Sequence, residues 1–250
     1  MNKIGYYILF FSLLLTGCKQ NKGEDNTVVS VQDSVESVAV SDEGLWYFEK
    51  PDYDEIEKRI SDKNSNLYYP KLFTRYLNSD TFSVEEARHL YYGHVFQPDY
   101  NPYDRDELRY MESIQRLFDK SSFTDSDCYK MIEYADSLLK NNPFYLRGIT
   151  LKMQMYEQLQ DSISFHKVGP RIPVVFDAIL SSGDGVSPET AFYVINPRNE
   201  YDVLNYMGFS SEGQGLIDHY DYLQLKENEA GLEGLYFDIT PCLKYLNLPF

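Results

Sequence analysis

From about residue 51 onward, the spacing of apolar residues changes close to Ser181. Before that point apolar residues recur at intervals of three and four, as in residues 105–119, which is typical of amphipathic helices. After it, short runs alternate or are rich in β-branched and aromatic residues, which is typical of strands. We therefore predict an α+β fold, with a helical part over residues 51–181 and a small sheet over residues 190–240.

The helical part is predicted to form antiparallel hairpins of short helices. Ser83, followed three residues later by Glu86, forms a capping box that marks one helix start, and Thr124 marks another. The predicted helical segments are residues 51–63, 67–77, 83–96, 105–119, 131–143, 148–161 and 162–180, the last interrupted at Gly169 and Pro170.

Two of these segments resemble parts of a tetratricopeptide repeat. Met131–Pro143 resembles the second helix of a repeat with its closing proline, and residues 148–161 resemble the first helix of the next repeat. Lys152 and Met153 stand where small residues are expected at the contact between helices. We therefore expect one degenerate repeat boundary rather than a regular array.

The small sheet is predicted from three strands and one helix in the last part of the chain. Ala191–Ile195, Tyr220–Lys226 and Gly234–Ile239 have strand patterns. Asn199–Met207 is predicted to be a short helix between the first two strands. This order predicts a β-α-β-β unit with an antiparallel sheet.

The first residues predict export and lipid anchoring. The apolar run Ile4–Leu15 is shorter than the roughly 20 residues of a membrane-spanning helix and fits the central region of a signal peptide. Leu15-Thr16-Gly17-Cys18 resembles a bacterial lipobox, in which the signal is cut before the cysteine and the thiol is lipidated. We predict a signal peptide over residues 1–17 and lipidation of Cys18. The alternative is an ordinary signal peptide followed by a chance cysteine.

Residues 18–44 are predicted to connect the lipid to the folded body. Residues 19–42 contain no aromatic residue and are rich in Ser, Val, Asp and Glu, which favours a flexible tether. Two acyl chains suffice for stable attachment to a bilayer. We therefore expect residues 45–250 to form a single domain anchored to the outer membrane through Cys18. Both the periplasmic and the surface face are left open.

The chain is acidic, with a net charge of -16 and a pI near 4.6. This charge argues against nucleic acid as a partner, because nucleic-acid binding needs a basic surface. It permits a cationic partner, and solubility alone also explains it.

Patterns that indicate catalysis or metal binding are missing from the sequence. Cys128 and Cys242 form no CxxC motif, and we favour buried free thiols over a disulfide between them. His89 and His94 are five residues apart, which places them about 140° apart around a helix and suits shared ligation poorly. We therefore predict no catalytic residue, no metal and no cofactor.

Residues 181–209 and 231–239 resemble a Bacteroidetes domain-of-unknown-function family, number 4919, whose members are lipoproteins. The match is carried by Gly183, Asp184, Gly185, Thr190, Ala191, Phe192, Tyr193, Val194, Glu200, Tyr201, Tyr236, Phe237, Asp238 and Ile239. The resemblance implies that the helical region from about Tyr53 belongs to the same domain. It implies location and architecture, and it brings no assigned activity.

Gly183-Asp184-Gly185 is the first candidate site. Two glycines around an aspartate allow positive φ and close backbone approach, so this loop could cradle a phosphate or hold a cation. It lacks the Lys-Ser/Thr ending of a phosphate-binding loop and the spaced acids of an EF-hand. The alternative is a tight turn that leads into the strand containing Phe192.

Clustered aromatic residues form the second candidate site. Tyrosine and tryptophan suit glycan stacking and protein interfaces, since each has an apolar face and a polar tip. The alternative is a tyrosine-rich core. The candidates are Trp46, Tyr47, Tyr68, Tyr69, Tyr91, Tyr92, Tyr100 and Tyr103.

From these features we expect a non-enzymatic envelope lipoprotein that binds a protein partner. A second hypothesis is binding of a glycan or small ligand by the tyrosine and tryptophan surface. A third is a hydrolase with unrecognised acidic residues near Asp184.

Overall fold

Helices form most of the described part of the chain before Ser181. The computed structural model describes residues 48–104 and 106–247. The predicted signal peptide, Cys18, the tether, Trp46 and Tyr47 lie outside these residues. The helices are α1 (Tyr53–Ser61), α2 (Tyr69–Leu77), α3 (Val84–Gly93), α4 (Asp106–Phe118), α5 (Asp125–Asn141), α6 (Leu146–Gln158), α7 (Ser162–Val168), α8 (Arg171–Leu180), α9 (Arg198–Tyr206) and α10 (Thr240–Tyr245).

Local hydrogen bonds at the predicted capping residues set two of the helix starts. The Glu86 amide donates to Ser83 Oγ at 3.2 Å, and the Ser83 amide donates to Glu86 Oε2 at 2.9 Å. Thr124 and Asp127 form the same reciprocal box at the start of α5. These pairs satisfy amides that have no partner within the helix. The capping box at Ser83 and the helix start at Thr124 are confirmed.

Two apolar clusters hold the described residues together. One cluster joins α4, α5 and α6 through buried side chains such as Met131 and Leu151. The other joins α1, α2, α3, α8 and α9 to the sheet, with Leu90, Ile179 and Phe237 among its fully buried members. Cys128 lies in the first cluster and Cys242 in the second, and both are buried free thiols, as favoured from the sequence.

The sheet has four strands in the order β1-β4-β3-β2. Its strands are β1 (Phe192–Tyr193), β2 (Ser211–Ile217), β3 (Tyr220–Leu225) and β4 (Gly234–Asp238). β2, β3 and β4 are antiparallel neighbours, whereas β1 pairs with β4 in parallel. The expectation of a wholly antiparallel sheet was therefore wrong. The physical reason is that a long connection through α9 and the β2–β3 hairpin separates β1 from β4.

The sequence prediction missed one strand and one helix. β2 has the sequence SEGQGLI, and its two glycines weaken the strand pattern because they have no side chain to pack. α10 begins with Pro241 in its first turn, where a missing amide costs no helical hydrogen bond. The mixed α+β class, the predicted strands at β1, β3 and β4 and the predicted helix at α9 are confirmed.

Gly183 lies directly against the backbone at Thr190. A Cβ atom on Gly183 would lie 2.1 Å from the Thr190 carbonyl oxygen, so no larger residue fits without moving the backbone. Gly215 on β2 offers a matched comparison, because a Cβ there would meet no atom within 4 Å.

We predict that Gly183→Ala lowers the free energy of unfolding by about 1–3 kcal/mol, the usual effect of overpacking. Gly215→Ala should change it by less than about 0.5 kcal/mol, as surface substitutions do. Chemical denaturation of both variants measures the difference. Equal stability of the two variants would show that the turn at Gly183 is not held as described.

Candidate functional site

The face of the sheet that points away from the helices carries four tyrosines. Strand alternation places Tyr220 and Tyr222 of β3 on this face, and register places Tyr236 of β4 and Tyr193 of β1 beside them. All four side chains are partly exposed. We call these four residues the tyrosine face. It is the largest group of aromatic side chains that the described sheet presents to solvent.

The rings of the tyrosine face contact one another. The ring centroids of Tyr222 and Tyr236 are 4.7 Å apart, and the Tyr220 ring meets Tyr236 edge-on at 6.5 Å. His219 lies next to Tyr220, with ring centroids 4.0 Å apart, and its Nε2 is 3.6 Å from the buried Asp238 Oδ2. These contacts hold the rings in place and limit the conformational entropy lost when a ligand binds.

Glycines shape the surface around Tyr222. A Cβ atom on Gly234 would lie 2.2 Å from the Tyr222 ring, so this ring rests on the backbone of β4. On the other side of β3, Gly215 pairs with Tyr222, and nothing lies within 4 Å of the position where its Cβ would be. Gly213 and Gly215 therefore leave a strip without bulky side chains beside Tyr222, whereas Ile217 of β2 lies beside Tyr220.

An open groove of about 560 Å³ continues from Tyr222 toward the turn between β3 and β4. Polar side chains in its wall include Gln224, Asn228 and Glu233. The Asn228 side chain donates to the Lys226 and Leu232 carbonyls and accepts from the Leu232 amide, which braces this turn. The groove thus joins a fixed polar wall to an aromatic surface, the combination that small-molecule sites use.

β2 pairs with β3 alone, so within the described residues its other edge is open. Ile217 and Tyr220 pair across a two-residue turn, so the backbone groups of Leu216 and Gln214 point away from β3. The side chains of Leu216 and Ile217 are 57% and 47% exposed. This edge therefore offers unpaired amide and carbonyl groups together with apolar side chains.

A buried pair of acidic residues ties β2 and β3 to α9 on the opposite face of the sheet. Glu200 is fully buried, and with both acids ionised neither of its carboxyl oxygens has a hydrogen-bond partner among the described residues. Its neighbour Asp221 accepts a hydrogen bond from Gln214 Nε2 at 2.9 Å. The Tyr201 hydroxyl donates to Gln214 Oε1 at 2.6 Å. These contacts connect α9 to β2.

Burial raises the pKa of Glu200 well above the usual value for a glutamate, and the charge of Asp221 raises that pKa further. Burial also raises the pKa of Asp221. A protonated Glu200 can donate to Asp221, which satisfies both groups with a single shared proton. This pair stabilises the attachment of the sheet best when it holds that proton.

Half of the described tyrosines that were singled out from the sequence are buried. Tyr91 and Tyr92 are fully buried; the Tyr91 hydroxyl donates to Asn199 Oδ1 at 2.8 Å and the Tyr92 hydroxyl to the Ala178 carbonyl at 3.0 Å. The Tyr100 hydroxyl donates to the Ile195 carbonyl at 2.8 Å. The Tyr92 hydroxyl therefore connects α3 to α8, whereas the hydroxyls of Tyr91 and Tyr100 connect the helical part to the residues that follow β1.

The remaining candidates from the sequence do not form one surface. Tyr69 is buried with its hydroxyl 2.8 Å from His94 Nδ1, and Tyr68 is half-buried. Tyr103 is 36% exposed. The tyrosine face was missed because three strands contribute to it: Tyr220 and Tyr222 are two residues apart, and Tyr193 and Tyr236 come from distant parts of the chain.

The Gly183-Asp184-Gly185 loop makes hydrogen bonds within the chain. Asp184 Oδ1 accepts from the Val186 amide at 3.0 Å and from Thr190 Oγ1 at 2.6 Å. The Gly185 carbonyl accepts from the Tyr236 amide at 2.8 Å, beside β4. The loop therefore positions β1 and β4 next to each other.

Within residues 48–104 and 106–247, no group of three or more His, Cys, Asp or Glu side chains is arranged to hold a metal ion. The same residues contain no helix with the length and apolar character needed to cross a bilayer.

Comparison with known proteins gives one match. The sequence model described as "Domain of unknown function (DUF4919)" matches residues 54–247. No curated protein matches the chain, and no solved structure matches it.

We predict that Glu200→Gln raises the unfolding temperature at pH 7. Because the folded pKa of Glu200 lies above the usual 4.5, the folded state holds an extra proton in the window between the two values. The free energy of unfolding therefore falls as pH rises through that window. Glutamine keeps the shape, carries no charge and can donate to Asp221.

Thermal unfolding from pH 4.5 to 8 tests this expectation. Each 1 kcal/mol gained at pH 7 should raise the midpoint by about 2–4 °C, and the pH dependence should become shallower. Glu57→Gln, at an exposed position on α1, is the control and should leave the profile unchanged. A lower midpoint for Glu200→Gln at pH 7 would contradict the shared-proton description.

Proposed function

The chain belongs to the DUF4919 family of unknown function, and from the geometry of its sheet we propose that it is an envelope lipoprotein that binds a protein partner at the open edge of β2. The observation that carries this proposal is that no other described strand pairs with the outer backbone groups of Gln214 and Leu216 on an exposed strand. Such an edge can accept a strand from another protein, because each backbone group needs a hydrogen-bond partner.

Charges at the two ends of β2 favour one kind of partner segment. Glu212 lies at the start of the strand, and Asp218 follows its last residue. Leu216 and Ile217 supply exposed apolar contacts between these acids. We therefore expect an extended segment with an apolar centre and a Lys or Arg near each end.

The sequence around Cys18 supports the proposed location. The lipobox-like Leu15–Cys18 follows an apolar run, and residues 19–44 separate that cysteine from the folded body. Anchoring to the outer membrane through two or more acyl chains would keep the domain beside the bilayer without a membrane-spanning helix.

The packing of α5 against α6 supports the proposed architecture of the helical part. We infer that α5 and α6 are the degenerate tetratricopeptide-like pair expected from the sequence. α5 and α6 pack against each other, and Lys152 of α6 donates to Asp136 of α5 at 2.5 Å. This ion pair lets a long side chain occupy a position where the repeat has a small residue.

We predict that Leu216→Pro abolishes partner binding while the sheet stays folded. The Leu216 amide points away from β3, so proline removes a donor for the added strand and leaves the β2–β3 ladder intact. Cross-linking of the tagged full-length protein in its native cells should recover at least ten times less partner, a loss of about 1.4 kcal/mol or more.

Leu216→Ala is the matched control, because it keeps the amide and removes the apolar side chain. We expect it to retain more partner than Leu216→Pro, and both variants should unfold within a few degrees of the natural protein. Equal recovery from Leu216→Pro and the natural protein would rule out strand addition at this edge.

We predict that Cys18→Ser moves the protein from the membrane fraction to the soluble fraction. Serine cannot form the thioether on which acylation depends. Metabolic labelling with an alkyne fatty acid should mark the natural protein and leave the variant unmarked. Labelled variant protein would contradict lipidation at this residue.

A further inference from the structure

The tyrosine face is a surface that strand addition at β2 does not use. We propose that Tyr193, Tyr220, Tyr222 and Tyr236, together with the adjoining groove, form a binding site for a neutral oligosaccharide. This inference goes beyond the proposed function and does not depend on it, since it concerns the face of the sheet and not its edge.

The rings of the aromatic platform are supported by the backbone and by one another. Tyr222 rests on the backbone at Gly234, where a Cβ would lie 2.2 Å from its ring, and Tyr236 packs beside it at 4.7 Å. A ring held in this way keeps its solvent side available and loses little freedom when a ligand stacks on it. The C–H face of a sugar ring is a suitable partner, because it is apolar and the tyrosine ring carries partial negative charge on its face.

Open space lies beside this aromatic platform. Gly213 and Gly215 of β2 leave a strip in which a Cβ at Gly213 would contact only Gln224 and one at Gly215 would contact nothing within 4 Å. The strip borders Tyr222 through the Gly215–Tyr222 pair. A chain of sugar rings therefore has room to lie along the sheet and continue into the groove.

Polar groups lie around the rings. Gln224 Nε2 donates to Glu212 Oε1 at 2.9 Å, which fixes an amide and a carboxylate at the border of the strip. Asn228 and Glu233 are in the wall of the groove. With the tyrosine hydroxyls, these groups can accept and donate hydrogen bonds to sugar hydroxyls, which fix the orientation of a stacked ligand.

The charge and the backbone pairing of the strands favour neutral sugars over other ligands. Along the described strands β1 to β4 no residue is Lys or Arg, whereas Glu212 and Asp238 are acidic. An anionic polysaccharide would be repelled by this charge. A peptide lying on the face would find the backbone groups of β3 and β4 already paired within the sheet, so it could form only side-chain contacts.

The test uses full-length protein in lipid nanodiscs and isothermal titration calorimetry. The probes are neutral hexasaccharides of glucose, xylose and mannose, a hexamer of galacturonic acid, and a proline-rich peptide. We expect at least one neutral hexasaccharide to bind more tightly than the acidic hexamer and the peptide. Tyr222→Ala should weaken that binding at least tenfold, and Tyr222→Phe, which keeps the ring, should change it less than threefold.

Two further variants separate loss of the site from loss of the fold. Gly215→Ile places a side chain that suits a strand in the open strip, and it should also weaken binding at least tenfold without lowering the unfolding temperature. Tyr129→Ala removes an exposed tyrosine of α5 and should have no effect. Failure of all neutral hexasaccharides to bind, tighter binding of the acidic hexamer or the peptide, or unchanged affinity in both Tyr222→Ala and Gly215→Ile would overturn the proposal.

Discussion

Burial of one face of the four-stranded sheet against the helices is the constraint on which the rest of the structure depends. Leu223, Leu235 and Phe237 are fully buried in the same cluster as side chains of α3 and α8. Because side chains alternate along a strand, burying these residues turns Tyr222 and Tyr236 toward solvent. The candidate binding surface is thus a consequence of how the core is filled.

The tyrosines of this chain fall into two groups with different physical roles. Tyr91, Tyr92 and Tyr100 fill the interior, and their hydroxyls bond to groups near β1 and at the end of α8. Such buried hydroxyls need partners, since an unpaired polar group in the interior is costly. The tyrosines of the sheet have solvent for their hydroxyls, so their rings can remain at the surface.

The buried pair Glu200 and Asp221 lowers the stability of the folded protein at neutral pH. The same pair helps to connect α9 to the sheet. Glu200 and Asp221 are both buried, and Asp221 links through Gln214 to Tyr201 on α9. β2 has few buried side chains of its own, and Leu216 and Ile217 are exposed. The polar network therefore secures a strand that apolar packing alone holds weakly.

Local sequence patterns were sufficient to predict most of the helices and strands, but they did not predict the candidate site. Ser83 and Thr124 mark the starts of α3 and α5, because each forms a capping box with the residue three positions later. β2 was hidden because its glycines carry no strand signal, and its place in the sheet depends on pairing with β3. The parallel pairing of β1 with β4 joins residues far apart in the chain, and no local pattern encodes it.

The candidate site shows the same limit. The alternation of Tyr220 and Tyr222 is visible in the sequence, and it predicts that both share one face of a strand. Which face is buried depends on the helices that pack there, which is tertiary information. Adjacent tyrosines such as Tyr91 and Tyr92 stand out more in the sequence, but α3 is surrounded by other elements and both rings are enclosed.

The central claim is that this protein binds its partners with the sheet and not with the helices. Site-specific incorporation of a diazirine amino acid at Ile217 and Gln224, and at the exposed helical positions Ile163 and Tyr129, tests it in native cells. Diazirines react with proteins and glycans alike, so the test does not presuppose the ligand. Our account predicts adducts from the two sheet positions and background from the two helical ones. Equal or greater adduct yield from the helical positions would contradict it.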